Sequence, residues 1–334
     1  MITIKEVNTN SDLKKFVQFP YRLYSGNPYW VPPVFFDELN TLRKDKNPAF
    51  DYCEAKYWLA YKDDQVVGRI AGIINHKYIE KWKNRYARFG WLDFADDFKV
   101  LEALMEAVES WAKSKGLEGV HGPLGFCDLD REGMLIDGFS ELSMLITNYN
   151  FPYYPLYLEK LGYEKDVDWV EFEIKVPEQI PERVLKINDM VMKRLKLRIL
   201  PASKPKDYLP YAEEVFNILN NAYKDLYGVV ELSEKQIKAY VKQYFGFINP
   251  DYIRVVLDQD NKVAAFGIAM PSLSLAAQKT KGRLFPFGFL QFLKAIKKND
   301  RLDLYLVATR PEIQGKGINA IILTDITRVA IKNG

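Results

Sequence analysis

The sequence predicts an α+β / α/β fold of two mixed, mainly antiparallel sheets flanked by helices, one sheet in each of two tandem copies. Three observations predict it. The chain has 334 residues, which at roughly 150 per domain suggests two domains. Its residues are 48% hydrophobic and 27% charged, a balance that supports packed cores and excludes a disordered or low-complexity chain. Finally, one order of elements (strand, helix or helices, hairpin, strand, helix) occurs twice along the chain.

The first copy opens with an alternating strand, Ile2 to Val7, and a helix from Ser11 to Tyr24 that begins at a capping side chain. A hairpin follows, Tyr57–Tyr61 and Val66–Ile74, joined by a polar turn and rich in β-branched residues. A third strand, Phe89–Phe94, precedes an amphipathic helix from Lys99 to Lys115, which stops at Gly116 behind a basic last turn. The aromatic helix that starts near Tyr153 and the strand Trp169–Ile174 close this copy. A helix over about Pro181 to Arg194 then links the copies.

The second copy opens with Leu195–Leu200 and a helix from Tyr208 to Tyr227. Ser233 followed by Gln236 marks the start of another helix, to Phe245, by the capping-box pattern. Its hairpin is Tyr252–Leu257 and Val263–Met270, its third strand Leu302–Val307, and its last helix runs from Asn319 to Lys332, ahead of Gly334. The domains expected are therefore residues 1–177, a linker helix over 178–194, and 195–334. The first copy has about 60 residues, 117–176, after its third-strand helix, and the second has none, so a strand and helix are expected to be missing from its end.

Composition excludes several functions. Lys plus Arg is 47 against 44 for Asp plus Glu, and a net charge of +3 argues against a nucleic-acid partner. Two cysteines, Cys53 and Cys127, make no disulfide scaffold and suggest a reducing, cytoplasmic location. With only His76 and His121 and no ligand spacing, no metal site is expected. The N-terminus lacks the apolar core of a signal peptide. Val263–Gln278 is uncharged but broken by Pro271, Ser272 and Ser274, and is shorter than the ~20 residues a membrane span needs.

The chemistry-bearing segment lies between the third strand and last helix of the second copy, Ala308 to Ala320. Gly315 and Gly317 allow successive amides at a helix start to converge on one point, a geometry that binds pyrophosphate, with Lys316 adding a positive charge. The first copy has Ala95-Asp-Asp-Phe98 there, whose carboxylates would repel such a group. Gly315-Lys-Gly-Ile-Asn-Ala320 also fits the dinucleotide fingerprint Gly-x-Gly-x-x-Ala. That fingerprint belongs after the first strand of a domain, with an acid about 20 residues on. A Walker loop is absent, and a plain glycine turn is the remaining alternative.

The segment Val307 to Ala320 resembles the acetyl-CoA loop of the GCN5-related N-acetyltransferase superfamily, Gln/Arg-x-x-Gly-x-Gly/Ala after a proline. Pro311, Gln314 and Gly317 match, and Asn319 departs at the last Gly/Ala place. The element order agrees over residues 195–334, and Leu161-Gly-Tyr163 between a helix and a strand closes the first copy in the family's manner. The resemblance implies a tandem acetyltransferase with a degenerate first copy, using acetyl-CoA or another acyl-CoA in direct transfer to an amine. It implies that the backbone of Val307 to Thr309 holds the pantetheine and polarises the thioester carbonyl. Amides from Gly315, Lys316, Gly317, Ile318, Asn319 and Ala320 then bind the pyrophosphate, with Gln314 in the motif. Direct transfer needs no covalent enzyme intermediate, so the scarcity of His and Cys is no objection. Glu231 and Asp303 are the candidate general bases. A CoA-binding regulatory module without turnover, and a dinucleotide-binding protein, are the other readings.

The expected acceptor is a small-molecule or lipid-like amine. Leu284–Leu293 is aromatic and flanked by Lys279, Lys281, Arg283, Lys294, Lys297 and Lys298. It could wall a greasy acceptor pocket, pack on the domain, or carry residues 284–298 onto a membrane surface.

Overall fold

A computed structural model describes residues 1–245 and 248–334. In chain order the first elements are β1 (Ile2–Glu6), α1 (Asn10–Leu23), α2 (Phe35–Thr41), β2 (Cys53–Lys62), β3 (Gln65–Asn75), α3 (His76–Trp82), β4 (Tyr86–Phe94), α4 (Phe98–Ser114), β5 (Gly119–His121) and α5 (Tyr153–Lys160). Then come α6 (Glu182–Arg194), β6 (Arg198–Ile199), α7 (Ala212–Tyr223), α8 (Glu234–Tyr244), β7 (Ile253–Leu257) and β8 (Val263–Pro271). The last are α9 (Ser274–Thr280), α10 (Gly288–Lys297), β9 (Leu302–Thr309) and α11 (Ile318–Asn333). Both copies of the expected element order are present, and the two sheets are mainly antiparallel, the first mixed and the second wholly antiparallel.

The chain forms two compact units. Unit 1 is Met1–Trp169 with Leu273–Leu293; unit 2 is Val170–Ser272 with Lys294–Gly334. This division differs from the expected 1–177, 178–194 and 195–334. The expected linker helix, α6, falls in unit 2, and α9 with the start of α10 folds into unit 1. Hydrogen bonds explain the second difference: Gln278 Nε2 donates to the carbonyls of Pro28 (2.8 Å) and Trp30 (2.9 Å), and the Phe35 amide donates to Gly282 O (3.0 Å).

Unit 1 has a five-stranded sheet in the order β1-β2-β3-β4-β5, antiparallel except for the parallel β4–β5 pair. α4 covers one face, because Val100, Leu101, Leu104, Met105, Val108, Trp111 and Ala112 recur at helical spacing and all are buried. They meet Trp58, Ala60, Ile70, Ile74, Ala87 and Phe89 of the sheet. α1 covers the other face through Leu13, Phe16 and Val17. The expected closing strand Trp169–Ile174 forms no ladder; Trp169, Val170, Phe172 and Ile174 are exposed and outside any regular element. Alternation alone makes no strand without a neighbour to satisfy its N–H and C=O groups.

Unit 2 has a four-stranded antiparallel sheet, β6-β7-β8-β9. α11 packs on it through Ile318, Ile322 and Ile326 against Val256, Ala264, Ala265 and Ala269. A partly buried ion pair, Arg254 with Asp325, ties β7 to α11. The Ser233–Gln236 capping box forms as the sequence predicts. The helix expected over Tyr208 to Tyr227 divides at Ala212, after a 3-10 segment that contains Pro210.

In each unit the strand after the hairpin carries a register shift. In β4 the register shifts at Trp91 and Leu92, where Trp91 adopts φ +47°; in β9 it shifts at Tyr305, between the pairs Ile268↔Leu306 and Ala269↔Leu304. An extra residue in one strand re-aims the side chains beside it, and such bulges recur next to functional sites.

Candidate active site in unit 2

The loop after β9 is braced before it reaches α11. Thr309 is buried, and its hydroxyl donates to Asn319 Oδ1 at 2.6 Å. Gln314 Nε2 donates to Thr309 O at 3.1 Å. The Arg310 amide donates to Ala264 O (2.9 Å), and its guanidinium pairs with Asp258 at 2.8 Å. The side chains of Gln314 and Asn319 therefore hold the loop's shape.

Beyond that brace lies an uncapped helix start. Gly315 (φ +73°) and Gly317 (φ +85°) both occupy the left-handed region, which costs an L-residue roughly 1–2 kcal/mol. A Cβ at either glycine would meet nothing within 4 Å, so the backbone here borders open space. Gly317 is the N-cap of α11 and supplies no side-chain cap, while the first N–H groups of any α-helix lack intrahelical partners. The amides of Ile318, Asn319 and Ala320 sit at that helix start, where the dipole favours an anion. Lys316 is exposed, and its ammonium donates to Glu312 O at 3.1 Å. The Ile318 side chain turns into the core.

The strand leading to this loop carries the other candidates. The Tyr223 hydroxyl, on α7, donates to Val307 O at 3.1 Å. Asp303 sits near the start of β9, buried, opposite Met270, with Oδ2 lacking a hydrogen-bond partner among the described residues. Burial raises its pKa, an effect opposed by a hydrogen bond with Ser272 and by the charge of Arg301. Burial and the charge of Asp303 likewise raise Glu171 and push the Tyr305 phenol upward. Asp303 and Tyr305 lie two residues apart on β9, at the bulge. Asp303 lies six positions before Thr309, about 20 Å along a strand. Glu231 is half-buried in the connection between α7 and α8. Sequence reasoning missed Tyr223, since no spacing rule announces a contact made across elements.

Unit 1 closes the corresponding positions with its own side chains. The Phe94 amide, at the end of β4, donates to the Tyr154 hydroxyl (3.0 Å), and Tyr153 donates to Phe94 O (2.6 Å). The Tyr154 ring stacks on Phe94 at 4.2 Å. Behind them Asp93 accepts from Tyr24 (2.8 Å) and pairs with Arg69 (2.7 Å), all of them buried. The start of α4 is capped by Asp97, which accepts from the Lys99 amide and pairs with Lys62 at 2.9 Å. The hydrogen bond with Lys62 holds the Asp97 carboxyl below the usual range against the opposing effect of burial. A capping carboxylate stands where unit 2 has bare amides.

The remaining nucleophile and metal candidates do not assemble a site. Cys53 and Cys127 are buried outside any disulfide, and burial pushes the Cys53 thiol up to about 12. Burial holds His121 down to about 4. No cluster among the described residues has the composition to hold a metal ion.

No protein-family model matches the chain. Two curated bacterial proteins are similar to it along most of its length. Protein YghO of Escherichia coli (strain K12) is 29% identical over 315 residues, covering 93% of this chain and 80% of that protein. A protein named bacterial ceramide synthase, from Caulobacter vibrioides (strain NA1000 / CB15N), is 27% identical over 335 residues, covering 95% and 83%. Among solved structures, a tandem GNAT protein from the clavulanic acid biosynthesis pathway superposes with a TM-score of 0.51 at 11% identity, covering 99% of this chain and 86% of that one. The GCN5-related glucosamine N-acetyltransferase region of a fungal multi-domain β-N-acetylglucosaminidase gives 0.50 at 14% identity, covering 99% and 34%.

Proposed function

We propose that this chain, a tandem GCN5-related N-acetyltransferase by fold, is an acyl-CoA-dependent N-acyltransferase that binds its cosubstrate in unit 2. The observation that carries the reading is the uncapped start of α11, with two left-handed glycines beside open space. A pyrophosphate is the anion that fits there: the amides of Gly315 to Ala320 donate to it, and Lys316 stays near its charge. The pantetheine arm runs back along β9 toward the bulge at Tyr305. Unit 1 has no equivalent opening, because Asp97 and the tyrosines of α5 fill it, so one acyl-CoA binds per chain.

The chemistry is direct transfer. A neutral amine attacks the thioester carbonyl, the C–N bond forms, and the tetrahedral oxyanion collapses with loss of the CoA thiolate. The attacking nitrogen must shed a proton, and we take Asp303 as the base that accepts it. Its burial makes the carboxylate a stronger base than an exposed aspartate. Glu231 is the alternative base, set in the α7–α8 connection.

A lipid-like amine is the acceptor class we favour. A ceramide is an N-acylated long-chain amine, and the name of the Caulobacter relative supports that class. Of the three readings open for Leu284–Leu293, the exposure of Phe287 and Phe289 gives least support to a buried packing role.

Two measurements test the reading. Acetyl-CoA and longer acyl-CoAs should raise the melting temperature, whereas NAD should not; a ligand at 100 times its Kd contributes about 2.7 kcal/mol. Thiol release should then require an amine, with long-chain amines preferred to small ones. Stabilisation by NAD alone would reject the reading. Stabilisation by acyl-CoA without turnover on any amine would leave a CoA-binding regulatory module.

A further inference from the structure

The segment from Leu273 to Asn299 holds six cations (Lys279, Lys281, Arg283, Lys294, Lys297 and Lys298) and no carboxylate. The whole chain carries only +3, so the remainder is net negative and the positive charge is concentrated here. Between the cations lies an apolar tip that the fold leaves uncovered: Phe285 is 69% exposed and Phe287 73%, with Leu290 and Leu293 about half exposed. The α10 helix keeps only Phe292 buried; Phe289, Leu290 and Leu293 are exposed, as are Lys294 and Lys297. Phe285 and Phe289 lie 6.3 Å apart, ring to ring, so the tip is one cluster.

This tip is held at a fixed place in unit 1. Gly282 (φ +67°) lies so close to Pro33 that a Cβ would come within 2.0 Å of its carbonyl oxygen. The Phe35 amide clamps Gly282 O, and Tyr21 donates to Pro33 O at 2.7 Å. The turn therefore delivers Lys281 and Arg283 to a recess of about 330 Å³, which they line with Gln18, Tyr21, Arg22 and Phe35. Three cations and no carboxylate line that recess. Exposed aromatic rings beside a cation-lined recess match the two layers of a bilayer face, an apolar interface under a sheet of headgroup phosphates.

We propose that the segment Leu273–Leu293 of unit 1, α9 with the start of α10, is a membrane-docking surface for bilayers rich in anionic phospholipid. Phe285, Phe287 and Leu290 enter the interface, and Arg22, Lys281 and Arg283 receive headgroup phosphates. No described helix is long and apolar enough to cross a membrane. This inference stands apart from the unit 2 loop, and Gly317→Asp should leave it unaffected.

The test is co-sedimentation of the full chain with vesicles of phosphatidylcholine alone or enriched in phosphatidylglycerol. Binding should require the anionic lipid and fall with added salt. Each basic side chain near such a surface is worth about fivefold in affinity, so Lys281→Gln with Arg283→Gln should weaken binding roughly 25-fold. Phe285→Ser with Phe287→Ser should abolish stable binding while leaving the melting temperature unchanged, because both rings are exposed. Both native cysteines are buried, so Phe287→Cys can be labelled selectively with an environment-sensitive fluorophore, whose emission should shift to the blue on vesicles. Three results would overturn the proposal: no sedimentation with anionic vesicles, equal sedimentation of parent and variants, or self-association of the chain that the Phe→Ser pair abolishes without any vesicle binding. Inorganic phosphate that raises the melting temperature while the label stays unshifted on vesicles would assign the recess to a soluble anion instead.

Discussion

Replacing Gly317 isolates the unit 2 loop from the rest of the fold. The residue sits at φ +85° as the N-cap of α11, and a Cβ there meets no atom within 4 Å. Gly317→Ala therefore clashes with nothing and costs only the left-handed backbone, roughly 1–2 kcal/mol. For a domain of this size that is a fall of a few degrees in melting temperature, on the order of 2–8 °C. Gly317→Asp adds a carboxylate facing the anion site. At about 5 Å from one phosphate charge, with an effective dielectric constant between roughly 20 and 80, the repulsion is about 1–3 kcal/mol. That corresponds to about a five- to 150-fold loss of affinity, a lower bound for a pyrophosphate. The assay is calorimetric titration with acetyl-CoA, with a melting curve on the same samples. Both variants should melt alike, the Ala variant should bind a few-fold more weakly, and the Asp variant should lose most of its affinity. An Asp variant that binds acetyl-CoA as tightly as its parent would remove the pyrophosphate from this loop.

Other substitutions read the remaining assignments. Asp303→Asn should lower kcat by about 10²–10⁴-fold and abolish the acid limb of the kcat/KM profile. The same change should stabilise unit 2 at neutral pH. Because burial raises the folded-state pKa of Asp303, the native state holds its proton more tightly than the unfolded chain, and stability falls as pH rises through that raised pKa. Parent and variant melting temperatures should converge below the ordinary carboxylate range. In unit 1, burial raises Glu132 and Asp128, which share a hydrogen bond, and pushes Asp130 up to about 6. Glu132→Gln should accordingly stabilise the protein by about 1 kcal/mol or more at pH 8 and by less at pH 5. Asp97→Ala should cost about 1 kcal/mol through the lost cap of α4 and confer no CoA binding, since the tyrosines over Phe94 remain.

Local rules reached far into this fold. Hairpins, the α4 core stripe and the Ser233–Gln236 capping box follow from patterns within a few residues, where pleat, helical period and cap geometry act. The glycine loop was legible for the same reason, because left-handed backbone and an uncapped helix start are properties of consecutive residues. Trp169–Ile174 shows where such rules stop. Its alternation is that of a strand, yet it forms no ladder, since pairing depends on a partner that alternation does not specify.

By itself the sequence determined that the element order repeats, that one copy carries the glycine loop, and that the other has carboxylates in its place. Each is a matter of residue type at short spacing. Only the tertiary structure decided that Tyr153 and Tyr154 seal the end of β4 and that Asp303 is buried with an unsatisfied oxygen near Tyr305. It alone placed Lys281 and Arg283 in the recess beside Arg22, about 260 residues away in the chain. Those contacts depend on where the backbone brings distant side chains together, and desolvation, which sets their chemistry, exists only once they are packed.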